Sequence, residues 1–162
     1  MRLKRLEKRS PNKSLDRRLV LDTTYVLPML GIEVEGLERE TLNHIIKHYE
    51  LYYPATLLVE LEGVVFKEAK RRGLENLPEQ VVEGFNSIVY AGVINIISPV
   101  GEDLKVIYYL VKLGWKDIFD AALYATALRL NAKALTMDEY FKKFLKKRGL
   151  QYDLLITHKE LK

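Results

Sequence analysis

Residues 18–30 read RLVLDTTYVLPML, and this stretch decides the fold. Leu19-Val20-Leu21 is short and wholly apolar, the pattern of a strand buried on both faces of a parallel sheet. Asp22 follows at once, and a helix is predicted from Thr23. A strand that passes straight into a helix begins a β-α-β unit, so the rest of the chain is expected to alternate the two. It does. Leu37, Leu42, Ile45, Ile46 and Tyr49 recur at helical spacing in LERETLNHIIKHYE. Leu51 to Tyr53 reads as a strand ended by Pro54. A helix follows from Ala55 or Thr56 to about Arg72, where Gly73 stops it. Pro78 opens the helix PEQVVEGFNSIVYAG, and Val93 to Ser98 is rich in β-branched residues. Further helices are predicted from Glu102 to Leu113 and from Asp117 to Leu130. Lys133 to Thr136 reads as a strand, a basic amphipathic helix runs up to Gly149, and DLLIT closes the chain as a last strand. The fold class is α/β with a largely parallel sheet.

At 162 residues the chain fits one domain, and 48% hydrophobic residues suffice for a core. There is no cysteine, which excludes disulfides and thiolate metal sites and points to a reducing, cytoplasmic setting. No apolar run approaches the ~18 residues of a membrane span, and the N-terminus lacks the apolar core of a signal peptide. No membrane partner is expected. Charge is uneven: residues 1–18 hold eight Lys or Arg against two acids, so the formal +4 comes from this leading segment. Residues 1–17 are expected to form a flexible basic arm before a single domain at 18–162. KKFLKKR, residues 142–148, is a second basic cluster of the kind that neutralises phosphates.

The acids carry the chemistry. Asp22 and Asp138 each follow a predicted strand, and ligands of open α/β sheets bind beyond the carboxyl ends of strands. Taken singly, each is an ordinary helix N-cap. Asp117 and Asp120, in DIFDAALYATA, share one helix face. Ala121, Ala122, Ala125 and Ala127 make that helix slim enough to approach other elements closely. Carboxylates crowded and partly desolvated beside such a contact repel one another, and a divalent cation relieves both costs. ATLLVELEG adds a glutamate. Glu60 and Glu62 stand about 200° apart around a helix, and periodicity does not decide which of them faces the site.

Together these elements resemble a PIN-domain nuclease over about residues 18–158: an Asp after the first strand in LDTTYVL, a Glu in ATLLVELEG, an Asp in DAALYATAL, and TMDEYF to close the pattern. The resemblance implies a three-layer α/β/α sandwich. It maps the four acids onto Asp22, Glu60, Asp120 and Asp138, with Asp117 at a position often acidic in the family. It implies a Mg²⁺- or Mn²⁺-dependent ribonuclease, with Asp22 and Asp120 as direct ligands, Glu60 and Asp138 acting through water or a second ion, and Asp117 at the rim. Thr24 and Thr136 are expected to orient carboxylates, Thr24 standing where many relatives have Asn or Ser. Lys116, Lys142, Lys143 and Lys146 are expected to hold the RNA backbone.

A haloacid-dehalogenase-type phosphatase needs a second Asp at the position of Thr24, and a receiver-like domain leaves the Asp117–Asp120 helix without a role. A PIN fold used purely as a binding scaffold does not need the full set of acids. The chain length and basic arm favour a standalone or RNA-processing enzyme over a toxin held by an antitoxin protein; an overlapping small reading frame for a DNA-binding partner would mark the toxin. A homodimer is the expected assembly. His44 and His48 lack a third ligand and read as an exposed or interface helix face. Trp115 and the pair Tyr108-Tyr109 read as packing residues.

Overall fold

The computed structural model describes residues 17–161. All of the expected basic arm except Arg17 lies outside them. In chain order the described residues form β1 (Arg18–Leu21), α1 (Thr23–Val26), α2 (Arg39–His48), β2 (Glu50–Pro54), α3 (Leu57–Arg71), α4 (Glu79–Tyr90) and β3 (Ile94–Ile97). The remainder comprises α5 (Gly101–Lys112), α6 (Ile118–Leu130), β4 (Lys133–Leu135), α7 (Glu139–Lys147) and β5 (Leu155–Ile156).

The helix expected from Thr23 is broken into two pieces. After one α-turn, Pro28 lies in the first turn of a separate 3₁₀ segment, Leu27–Leu30, which Gly31 ends at φ 76°. Proline cannot donate an amide hydrogen within a helix, so it fits only where a new helix begins. The last strand is shorter than DLLIT. Only Leu155 and Ile156 pair with β4, and Thr136, just past β4, donates its amide to Ile156 O at 3.0 Å.

All five strands run parallel in the order β3-β2-β1-β4-β5. The chain moves outward from β1 to β2 and β3, then returns to the other side of β1 for β4 and β5. Right-handed crossovers place connections that travel in opposite directions on opposite faces, which gives the α/β/α sandwich. The reversal lies between β1 and β4, whose ends are joined by Asp22 N donating to Leu135 O at 3.0 Å. That is where the sheet opens a crevice at its carboxyl edge.

α6 is the central helix. Residues 121–127 are all buried, and it packs against β1, β2, β4, α3 and α5. A helix buried on every side needs small residues wherever a neighbour comes close, and the alanines supply them. Its far end is held by a bidentate ion pair. Arg129 Nε and Nη2 donate to Oδ1 and Oδ2 of the buried Asp103 on α5, at 2.9 and 3.0 Å. Asn131 ends α6 in the left-handed conformation at φ 48°, which Asn tolerates better than most residues.

Candidate active site

Four segments meet at the carboxyl edge of the sheet around an open cleft of about 470 Å³. Its lining includes Asp22, Glu60, Asp117, Asp120 and Asp138, with Thr23, Thr24 and Tyr140. A larger cavity, about 850 Å³, lies between the loop at 31–38 and α2 and receives none of these acids.

Three of the acids owe their positions to helix capping. Asp22 caps α1, accepting from Thr23 N at 2.8 Å through Oδ1. Asp117 caps α6 through one oxygen, which accepts from Phe119 N at 2.8 Å and Asp120 N at 3.2 Å. Asp138 caps α7 by accepting from Phe141 N at 2.9 Å. A capping carboxylate spends one oxygen on the helix and turns the other outward. Capping and ligand binding are therefore compatible here. Asp22 uses its second oxygen to accept from the hydroxyl of buried Thr136 at 2.9 Å, and Thr136 Oγ1 in turn accepts from Asp138 N at 3.1 Å.

Glu60 is held by a chain of hydroxyls. Thr23 donates to Glu60 Oε2, and the phenol oxygen of fully buried Tyr53 lies 2.9 Å from Thr23 Oγ1 while donating to Leu57 O at 2.8 Å. One chain of contacts thus links β2, α1 and α3 at a single carboxylate. The structure separates the two glutamates: Glu60 lines the cleft, whereas Glu62 is exposed and does not.

A family model, the PIN domain, matches residues 19–147, a span that contains all five acids. The chain belongs to the PIN-domain family. No curated protein matches the sequence. PIN domains are generally nucleases that typically use divalent metal ions.

Among the described residues, none of the five acids has a Lys, Arg or His partner. Asp120 also makes no side-chain hydrogen bond there. Burial and the surrounding Asp117, Asp138, Asp22 and Glu60 push its carboxyl up to about 8. Burial also raises Asp22, against the lowering effect of its Thr136 and Thr23 hydrogen bonds. Glu60 is raised by burial and opposed by the Thr23 hydroxyl. Asp103 shows the contrast: it is more deeply buried but fully paired by Arg129. The cleft therefore gathers carboxylates that no basic side chain among the described residues pairs, and its donors are all hard oxygens. Mg²⁺ and Mn²⁺ favour such donors. No three acidic or imidazole side chains among the described residues converge tightly enough to enclose an ion. A Mg²⁺ site built from one or two carboxylates and retained waters fits this looser arrangement.

Other expected residues fall in different places. Thr24 lines the cleft but bonds no carboxylate among the described residues; the hydroxyl that bonds Glu60 belongs to Thr23, one residue earlier. A strand-to-helix junction turns successive side chains in different directions, and the strand alternation does not carry across it. Lys116 is exposed beside Asp117. On α7, Lys142 pairs with Glu160 at 3.6 Å, while Lys143 and Lys146 stand exposed over the rings of Tyr140 and Tyr152 at 5.9 and 5.4 Å.

Trp115 is a packing residue, stacked on Phe141 with centroids 4.7 Å apart and close to Phe144 at 4.9 Å. Tyr108 and Tyr109 are not core residues. They are 65% and 52% exposed on α5, because the buried face of that helix is carried by Asp103 and Leu110. His44 and His48 form an exposed pair on α2, their rings tilted by 37° with centroids 4.4 Å apart. Besides Thr23, sequence reasoning misses Tyr53 and Tyr140. Tyr53 reads as a simple core residue, and its hydroxyl's role depends on contacts 30 residues away. Among the described residues, no helix is long and apolar enough to cross a membrane.

Proposed function

We propose that this protein is a divalent-metal-dependent endoribonuclease that hydrolyses RNA phosphodiesters to leave 5′-phosphate ends. The observation that carries the reading is the set of five carboxylates, from four separated segments, that line one cleft at the sheet's switch point with no basic partner among the described residues. Asp22 and Asp120 would hold Mg²⁺ or Mn²⁺ directly, with Glu60 and Asp138 reaching it through water and Asp117 at the rim. A bound divalent ion supplies charge neutralisation at the phosphate and lowers the pKa of the attacking water.

The protein's own residues do the positioning. Thr136 fixes the orientation of Asp22, and Thr23 fixes that of Glu60. The caps on α1, α6 and α7 tie Asp22, Asp117 and Asp138 to rigid elements. An acidic cleft repels a polyanion, so substrate must be attracted from outside it. Lys143, Lys146 and Lys147 stand exposed on α7, the helix that Asp138 caps, and suit the RNA backbone. RNA processing or a standalone role is favoured over a toxin by the excess of Lys and Arg over acids in residues 1–18.

The test is incubation of a 5′-labelled RNA with wild-type protein in Mg²⁺, Mn²⁺ or EDTA. Internal cleavage with either metal, none in EDTA, and products that ligate through 5′-phosphates support the reading. Metal-independent cleavage, or ends carrying a cyclic 2′,3′-phosphate, would overturn the mechanism.

A further inference from the structure

Tyr140 is 81% exposed, an expensive placement for a large aromatic ring that contributes little to folding there. It occupies the second position of α7, two residues after Asp138, and its side chain lines the acidic cleft. The Lys143 ammonium lies over its ring, 5.9 Å from the centroid. Tyr90 is equally exposed, but it does not line the cleft and no cation lies over it among the described residues. Exposure alone is therefore not the signal. What distinguishes Tyr140 is an open ring at the mouth of the cleft with a lysine ammonium beside it.

Resting on the nuclease reading above, we propose that Tyr140 is a stacking platform for an unpaired nucleobase of the bound strand. A strand whose phosphate lies over the acids carries its neighbouring base a few ångströms away, within reach of the rim. One side of the Tyr140 ring faces an ammonium, and its large exposure leaves ring area for a base. Base–aromatic stacking works with any base, because each has a π-face, and an adjacent cation reinforces it. Bases inside a duplex are already stacked on one another and cannot offer that face. Lys143 then does two things at once: it polarises the ring and meets the backbone phosphate.

The experiment measures binding in EDTA by fluorescence anisotropy, using a labelled single-stranded RNA of about twelve nucleotides and the same strand in a duplex. Full-length wild type is compared with Tyr140→Ala, Tyr140→Phe and Lys143→Ala. Tyr140→Ala is expected to weaken single-strand binding about tenfold, to change duplex binding less than twofold, and to leave the salt dependence as it was. Tyr140→Phe keeps the ring and should bind like wild type. Lys143→Ala should instead flatten the salt dependence by about 0.7 in log–log slope, the value for one phosphate contact on a single strand. Equal losses on both RNA forms, no loss on the single strand, or Tyr140→Phe matching Tyr140→Ala would each overturn the proposal. Failure of the nuclease reading has a separate signature, absence of metal-dependent cleavage by wild type, and does not alter the binding comparison.

Discussion

Replacing Asp120 by Asn should stabilise the metal-free protein. The carboxyl is pushed from an ordinary 3.8 up to about 8 by burial and four neighbouring acids. An acid with a raised folded-state pKa binds a proton more tightly folded than unfolded. Its favourable contribution is therefore complete below about pH 4 and is lost as pH rises towards 8. By pH 7 about three pH units of that window have been crossed, an upper bound near 4 kcal/mol at about 1.4 kcal/mol per unit. The cleft is open to water, and screening reduces this to about 1–2 kcal/mol. Asn has a similar shape and no charge to lose. In a domain of this size each kcal/mol moves the melting temperature by about 2–4 °C, so Asp120→Asn should melt about 2–8 °C above wild type at pH 7–8 in EDTA. The gap should narrow at pH 5 and close near pH 4. The fluorescence of Trp115, the single tryptophan, reports unfolding directly. Added Mn²⁺ should raise the wild type and leave the variant nearly unmoved. A variant less stable than wild type in EDTA throughout pH 5–8 would refute the electrostatic reasoning.

The orienting hydroxyls give a second expectation. Thr136→Val and Thr23→Val should each weaken Mn²⁺ binding about tenfold by calorimetry, with Thr23→Ser restoring it, because groups that orient ligands typically matter at that level. Glu60→Gln should abolish RNA cleavage while exposed Glu62→Gln stays within about twofold of wild type, and the reverse would exchange their roles. Arg129→Ala leaves Asp103 buried and unpaired, and should cost about 3 kcal/mol in urea unfolding; a cost near zero would show that α5 and α6 do not depend on the pair.

Much of the fold was legible because its signals are local. The apolar run Leu19–Leu21, the stop at Gly73 and the alanines of α6 each state their element within a few residues. The acids were legible as a set for the same reason, each lying at a strand end or in the first turn of a helix. What the sequence does not show is long-range. Helical periodicity leaves Glu60 and Glu62 undecided, and the place of Glu60 in the cleft and its contact with Thr23 separate them. Thr24 was the expected orienting hydroxyl because it occupies the motif position, whereas the backbone turn after Asp22 presents Thr23 instead. Tyr140 carries no signal in sequence, since an aromatic in a basic amphipathic helix reads as core. Phe141 beside it is indeed buried, and one residue's rotation around α7 separates packing from exposure.

The central claim is that one acidic cleft, centred on Asp22 and Asp120, carries out metal-dependent RNA cleavage. The most direct measurement is the rate of RNA cleavage in Mn²⁺ by wild type, Asp22→Asn and Asp120→Asn, with folding of each verified by its melting curve. Both variants should fold, and each should lose cleavage by at least about a hundredfold, the scale of losing a preorganised charge at a reacting phosphate. Folded variants that cleave RNA at the wild-type rate would contradict it.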